Sequence, residues 1–235
     1  MVARRLLGLA ALACIANAAP DKAQSESVPA EVVGVYDGSS FETYMAMQLR
    51  ADGTFEWVLA VGGLDLRSQG EWRERDGEIH FTTLPTPVPA EFRLLGLEPQ
   101  AEPAEQIVQV RATLPDGRPF TNADVTIECA NGTLVSDFLA GSTAYFEDDR
   151  PRECDRPVAV RVRQSAYEVK SPRYVLAEIG WQPGQALHLE FVPNDIGVYD
   201  LTGMHGPLAD GILAIDGPLG QAKFRKVPGA QALPE

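Results

Sequence analysis

Residues 41–83 read FETYMAMQLR-ADG-TFEWVLAV-GG-LDLRSQGEWRER-DG-EIHFTT. Apolar and polar residues alternate with period two, the pattern of strands that bury one face. The breaks fall at Asp52-Gly53, Gly62-Gly63 and Asp76-Gly77, pairs that reach positive φ at low cost, as tight hairpins need. A two-residue turn at Gly62-Gly63 sets Val61 opposite Leu64, Leu59 opposite Leu66, Trp57 opposite Ser68 and Phe55 opposite Gly70. A two-residue turn at Asp76-Gly77 sets Glu74 opposite Ile79 and Trp72 opposite Phe81. The same turn at Asp52-Gly53 would oppose Phe55 to Arg50. A three-residue loop, Ala51 to Gly53, instead pairs Leu49 with Phe55, Met47 with Trp57 and Met45 with Leu59. A slip of one residue would turn the whole apolar set to water, so this register is strongly specified. The stretch predicts a four-strand antiparallel meander with one continuous apolar face, which must close on itself or find a second layer. Gly70 opposite Phe55 predicts a ring lying over a strand glycine, a place where a sheet can bend.

Upstream, Glu31 to Asp37 reads as a first strand. Downstream, prolines at 85, 87 and 89 exclude a central strand. Phe92 to Leu97 reads as a short strand, and the acidic, proline-bearing run EPQAEPAEQ (98–106) as a linker. A second β pattern starts at Ile107. IVQVRAT (107–113), ADVTIEC (123–129) and VAVRVRQ (158–164) alternate, with turns at Pro115–Pro119 and Asn131-Gly132. Gly141–Phe146, Tyr174–Ile179 and Leu187–Val192 are further strand candidates, and Ile212–Ile215 with Ala222–Val227 a closing hairpin. No segment carries a helical period. The expected fold class is all-β: an antiparallel, barrel-like meander over 30–97 and a β-sandwich over 106–193. Residues 195–227 either complete the barrel, which makes the sandwich an insertion, or follow as the end of two consecutive units.

The first twenty residues, MVARRLLGLAALACIANAAP, have the form of a secretory leader. Arg4 and Arg5 supply the positive end, Leu6 to Ile15 an apolar run too short to span a bilayer, and Ala16-Asn17-Ala18 a small-x-small cleavage pattern. The expectation is a signal peptide over 1–18 and an exported chain, periplasmic or secreted, with no membrane span. Cys14 follows Ala11-Leu12-Ala13, which loosely resembles a lipoprotein processing site and leaves a lipid anchor there as the less favoured alternative. Two cysteines, Cys129 and Cys154, then remain; in an exported chain they point to a disulfide ahead of free thiols or a metal site. The net charge of −13 argues against nucleic acid or an anionic membrane as a general partner.

Gly34-Val35-Tyr36, the meander and Gly70-Glu71-Trp72 resemble small lipocalin-like barrels of bacterial envelope proteins. The segment from Val108 through PDGRPF to ADVTIEC is similar to the transthyretin-like or carboxypeptidase-regulatory-like sandwich, which speaks for fold and not for activity. FEWVLAVGGLD, the later GEW and VPNDIGVYD together resemble uncharacterised exported proteins of proteobacteria. That resemblance implies that the tail after Asn194 belongs with the barrel.

The three histidines, His80, His188 and His205, show no ligand spacing such as H-x-H. No G-x-S-x-G elbow and no phosphate-cradling glycine loop occurs. Glu147-Asp148-Asp149 lacks the regular ligand spacing of a calcium loop. Met45 and Met47 fall on the apolar face, where thioethers pack as adaptable filler. No catalytic residue, metal ligand or cofactor is therefore expected. The leading expectation is a non-enzymatic envelope protein that binds a small apolar ligand or a partner protein. Phe55, Trp57 and Trp72 on the apolar face and Asp65 at the rim are its candidate ligand-binding residues. A structural or interaction module whose barrel is filled by its own side chains is the alternative, and a hydrolase ranks third.

Overall fold

The computed structural model describes residues 30–100, 108–140, 143–144, 154–218, 220–230 and 232–233. The stretch expected to be a signal peptide, with Cys14, and the Glu147–Asp149 trio lie outside them. The chain forms β1 (Gly34–Asp37), β2 (Thr43–Leu49), β3 (Thr54–Val61), β4 (Leu64–Arg75), β5 (Glu78–Thr83), β6 (Glu91–Pro99), β7 (Gln109–Thr113), β8 (Asp124–Cys129) and β9 (Leu134–Ala140). It continues with β10 (Thr143–Ala144), β11 (Pro157–Gln164), β12 (Val169–Lys170), β13 (Tyr174–Val175), β14 (Gln185–Val192), β15 (His205–Ala209), β16 (Ile212–Gly217) and β17 (Gly220–Lys226). The described residues contain no helix, and so none long and apolar enough to cross a membrane.

Eight strands close an antiparallel barrel in the order β1-β17-β16-β15-β5-β4-β3-β2. The β2–β5 register is the one that the turn chemistry predicts: Met47 opposite Trp57, Phe55 opposite Gly70, Trp72 opposite Phe81. Alternate side chains therefore point inward, and Tyr36, Met47, Phe55, Trp57, Leu59, Trp72, Phe81, Leu213 and Phe224 pack into one core. Phe55 meets Phe81 edge to face at 5.2 Å, a favoured ring geometry. Gly70 and Gly206 are places of close backbone approach. A Cβ on Gly70 would lie 2.0 Å from the Thr82 carbonyl oxygen, and one on Gly206 1.8 Å from that of Ala214.

The remaining strands make a second sheet system in the order β12-β11-β8-β9-β10-β7-β14-β6, with β13 against β11. Its two halves enclose an aliphatic core that includes Val110, Val125, Ile127, Val160, Val162, Leu187 and Leu189. The pair β7–β14 is parallel. Cys129 at the end of β8 is bonded to Cys154, with Cα atoms 5.5 Å apart.

Three local expectations change. The strand at Phe92–Leu97 belongs to the sandwich and not to the barrel: β6 pairs with β14 over its whole length, because Phe92, Leu94 and Leu97 face the sandwich core. It runs on to Pro99, so the linker assigned to 98–106 begins inside a strand; residues 101–107 are not described. The candidate strand Tyr174–Ile179 keeps only its first two residues. The chain then turns so that Leu176 and Trp181 tuck onto the core, with the Trp181 amide donating to the Leu176 carbonyl at 3.0 Å.

Candidate functional site

The barrel interior holds its own side chains. Phe55, Trp57 and Trp72 are each at most 3% exposed, and the segment between β14 and β15 plugs one end. There Leu201 is fully buried and Tyr199 packs on Trp57 at 5.8 Å. The plug explains two polar residues inside an apolar barrel. Thr83 Oγ1 accepts from the Leu201 amide at 2.7 Å and lies 3.0 Å from Ser68 Oγ, while the Thr83 amide donates to Thr202 Oγ1 at 3.1 Å. A buried amide needs such an acceptor. The hydroxyl and amide of Thr202 hold the Asp200 carboxyl below its ordinary range, and burial, then the Asp200 charge, pushes the Tyr199 phenol up.

A cleft of about 490 Å³ lies beside this plug. Three segments build it. Its floor is β3–β4, including Trp57, Val58 and Arg67; Leu84, Pro85 and Pro87 form one wall; Asp195 and Val198 form the other. The walls are the two crossings between barrel and sandwich. They are held by their backbones: Leu84 N–H donates to the Gln69 carbonyl at 2.9 Å, Arg67 N–H to the Gly197 carbonyl at 2.8 Å, and Tyr199 N–H to the Arg67 carbonyl at 2.8 Å. Asp195 ties wall to wall, its carboxylate accepting from the Val88 amide at 2.8 Å.

One of the three tryptophans is electrostatically incomplete. Trp72 Nε1 donates to the Arg50 carbonyl at 3.1 Å and Trp181 Nε1 to the Gln185 carbonyl at 2.7 Å. Trp57 Nε1 is buried with no acceptor, although buried indole N–H groups usually have one. Among the four ligand-binding candidates from the sequence, Trp57 alone lines the cleft. Phe55 and Trp72 fill the core, and Asp65 is an exposed rim residue whose backbone carbonyl accepts from the Tyr167 hydroxyl at 3.4 Å.

The histidines form two groups. His188 on β14 lies between Glu98 and Thr113, with Nδ1 2.8 Å from Glu98 Oε1 and Nε2 3.1 Å from Thr113 Oγ1; Arg111 approaches Glu98 at 3.3 Å. The order hydroxyl, imidazole, carboxylate is that of a nucleophilic triad. Thr113 is only 5% exposed, however, and a nucleophile needs room for a carbonyl at its oxygen. The chain of hydrogen bonds ties β6, β14 and β7 together. The sequence around it, Gly203-Met204-His205-Gly206, reads as a loop, but His205 opens β15 and lies directly opposite His80, beside Glu78. The sequence hides this pairing, because the partner strands are far apart in the chain.

No protein-family model, curated protein or solved structure matches the chain.

Proposed function

We propose that the protein is an exported, non-enzymatic envelope protein that binds a small, largely apolar ligand in the cleft between the barrel wall and the two crossings. The observation that carries this reading is Trp57, which lines the floor of that cleft and whose buried indole N–H has no acceptor. A ligand with an apolar body and one acceptor oxygen would complete it. The volume falls in the range of small-molecule sites, which are mostly apolar with few polar groups, and Leu84 and Val88 stand exposed beside it. Export rests on the leader pattern of residues 1–18, on the Cys129–Cys154 bridge, which needs an oxidising compartment, and on the resemblance to exported proteobacterial proteins.

Native mass spectrometry of the protein isolated unreduced from its own envelope tests this reading. The expected result is an extra mass in the native spectrum that disappears on denaturation, and that Trp57→Phe loses while Trp72→Phe keeps. A clean unliganded protein, with no saturable change in tryptophan fluorescence across a panel of fatty acids and phospholipids, would overturn it. A second reading, a partner-binding sandwich face, is favoured by Leu134 and Phe138 on β9, which stand 65% and 47% exposed.

A further inference from the structure

Glu78 and His80 lie two apart on β5 and so share its outer face. On β15, His205 sits opposite His80 and Pro207 opposite Glu78. The two imidazole rings stack at 4.9 Å with 21° between their planes, and His205 Nδ1 is 2.8 Å from Glu78 Oε2. One nitrogen or oxygen from each of the three residues lies within 4.8 Å of the others. From this geometry we infer that Glu78, His80 and His205 form a binding site for a divalent transition-metal ion of the zinc type.

The donor set selects the ion. Two imidazoles and a carboxylate suit zinc, copper or nickel, whereas calcium takes six or more oxygens. Bonds of about 2.1 Å around one ion put its donors roughly 3–3.5 Å apart. The Glu78–His205 separation is already near that value. The third donor, on His80, lies within 4.8 Å of the other two, and rotation of the His80 side chain together with that of His205, whose side chain is 52% exposed, closes the remaining roughly 1.5 Å. A hydrogen-bonded pair of Glu78 and His205 would be complete without His80, so the stacked second ring needs another explanation. The histidine content sharpens the point: the chain has three, and two of them meet here from distant segments.

The backbone fixes this meeting. The Phe81 amide donates to the Met204 carbonyl at 3.0 Å, the Gly203 amide to the Phe81 carbonyl at 3.1 Å, and the Leu208 amide to the Gly77 carbonyl at 3.3 Å. Gly206 admits the close approach of β16 on the other side. Two of the three arginines on the neighbouring strand β4 lie beside the site, Arg73 opposite His80 and Arg75 opposite Glu78; Arg73 lies 3.5 Å from Glu71. Three protein donors leave a fourth position for water or an outside ligand. An ion here also clips β5 to β15, the seam where the meander meets the C-terminal hairpin, so it stabilises the closed barrel by mass action.

The test uses the full mature chain, stripped with chelator and titrated with zinc chloride by calorimetry. One ion per chain is expected. His80→Ala and His205→Ala should each weaken binding at least tenfold and Glu78→Gln several-fold, while His188→Gln binds as the parent does. Histidine-ring NMR of the unmutated chain gives a reading that no folding defect can confuse: zinc should shift the signals of two of the three imidazoles. The absence of saturable binding at millimolar zinc would overturn the inference. So would unaltered binding in the His80 and His205 variants, or a zinc-shifted signal assigned to His188.

Discussion

The barrel core is built largely from rings, Tyr36, Phe55, Trp57, Trp72, Phe81 and Phe224, whereas the sandwich core consists mainly of valine, isoleucine and leucine. The difference follows how each sheet ends. A closed barrel has no edge strands, so its stability rests on filling a cylinder with bulk. The sandwich keeps edges and a thinner aliphatic interior, and it carries the one covalent tie of the described chain, from Cys129 to Cys154. Packing volume holds the first and a chain constraint helps to hold the second.

Phe55→Ala should therefore give the largest effect, about 4 kcal/mol, confined to the barrel and read as an early, separate transition in differential scanning calorimetry. Replacing both bridge cysteines by serine should cost about 3 kcal/mol and move the sandwich transition alone. If Phe55→Ala instead lowers both transitions together, the two cores are one cooperative unit and the comparison fails. Alkaline pH should erase the contrast. Burial pushes the phenols of Tyr36 in the barrel and Tyr174 in the sandwich up to about 12. Between pH 10 and 12 the folded state keeps protons that the unfolded chain has lost, so stability falls as pH rises, by about 2 kcal/mol per tyrosine. Denaturant titrations at pH 9 and 11.5 measure this, and Tyr36→Phe should flatten the slope for the barrel only. The smallest effect belongs to the sandwich surface. Hydrogen bonding first by Arg173 and then by Arg161 lowers the Glu128 pKa. Glu128→Gln should cost under about 0.5 kcal/mol at neutral pH, and nothing once acid has protonated the parent carboxylate below its depressed pKa.

What the sequence made legible was local. The Gly62-Gly63 and Asp76-Gly77 turns and the alternation around them determine the pairing of Phe55, Trp57 and Trp72, since a strand that buries one face admits one register. The partner of β6 was illegible, because β14 follows it at a distance that no turn chemistry spans. The glycines at 203 and 206 give the stretch around His205 the look of a loop, although Gly206 serves the close approach of a strand. The cleft is assembled from β3–β4 and two separate crossings, so no single stretch announces it. Trp57 could be named in advance as an apolar-face residue; its missing acceptor depends on where the plug lies.

The pairing of Glu91 with Val192 has a consequence for the order in which the chain organises itself. The sandwich segment leaves and returns at one point, like the stem of a leaf. While it is unfolded, β5 and β15 are separated by the whole stretch from Thr83 to His205. Once β6 and β14 zip together, only the two crossings remain to be closed. Shortening the effective loop about sixfold lowers the entropic cost of sealing the barrel by roughly 1.5 kcal/mol. A sandwich that folds first thus acts as a splint that brings the two ends of the barrel within reach of one another.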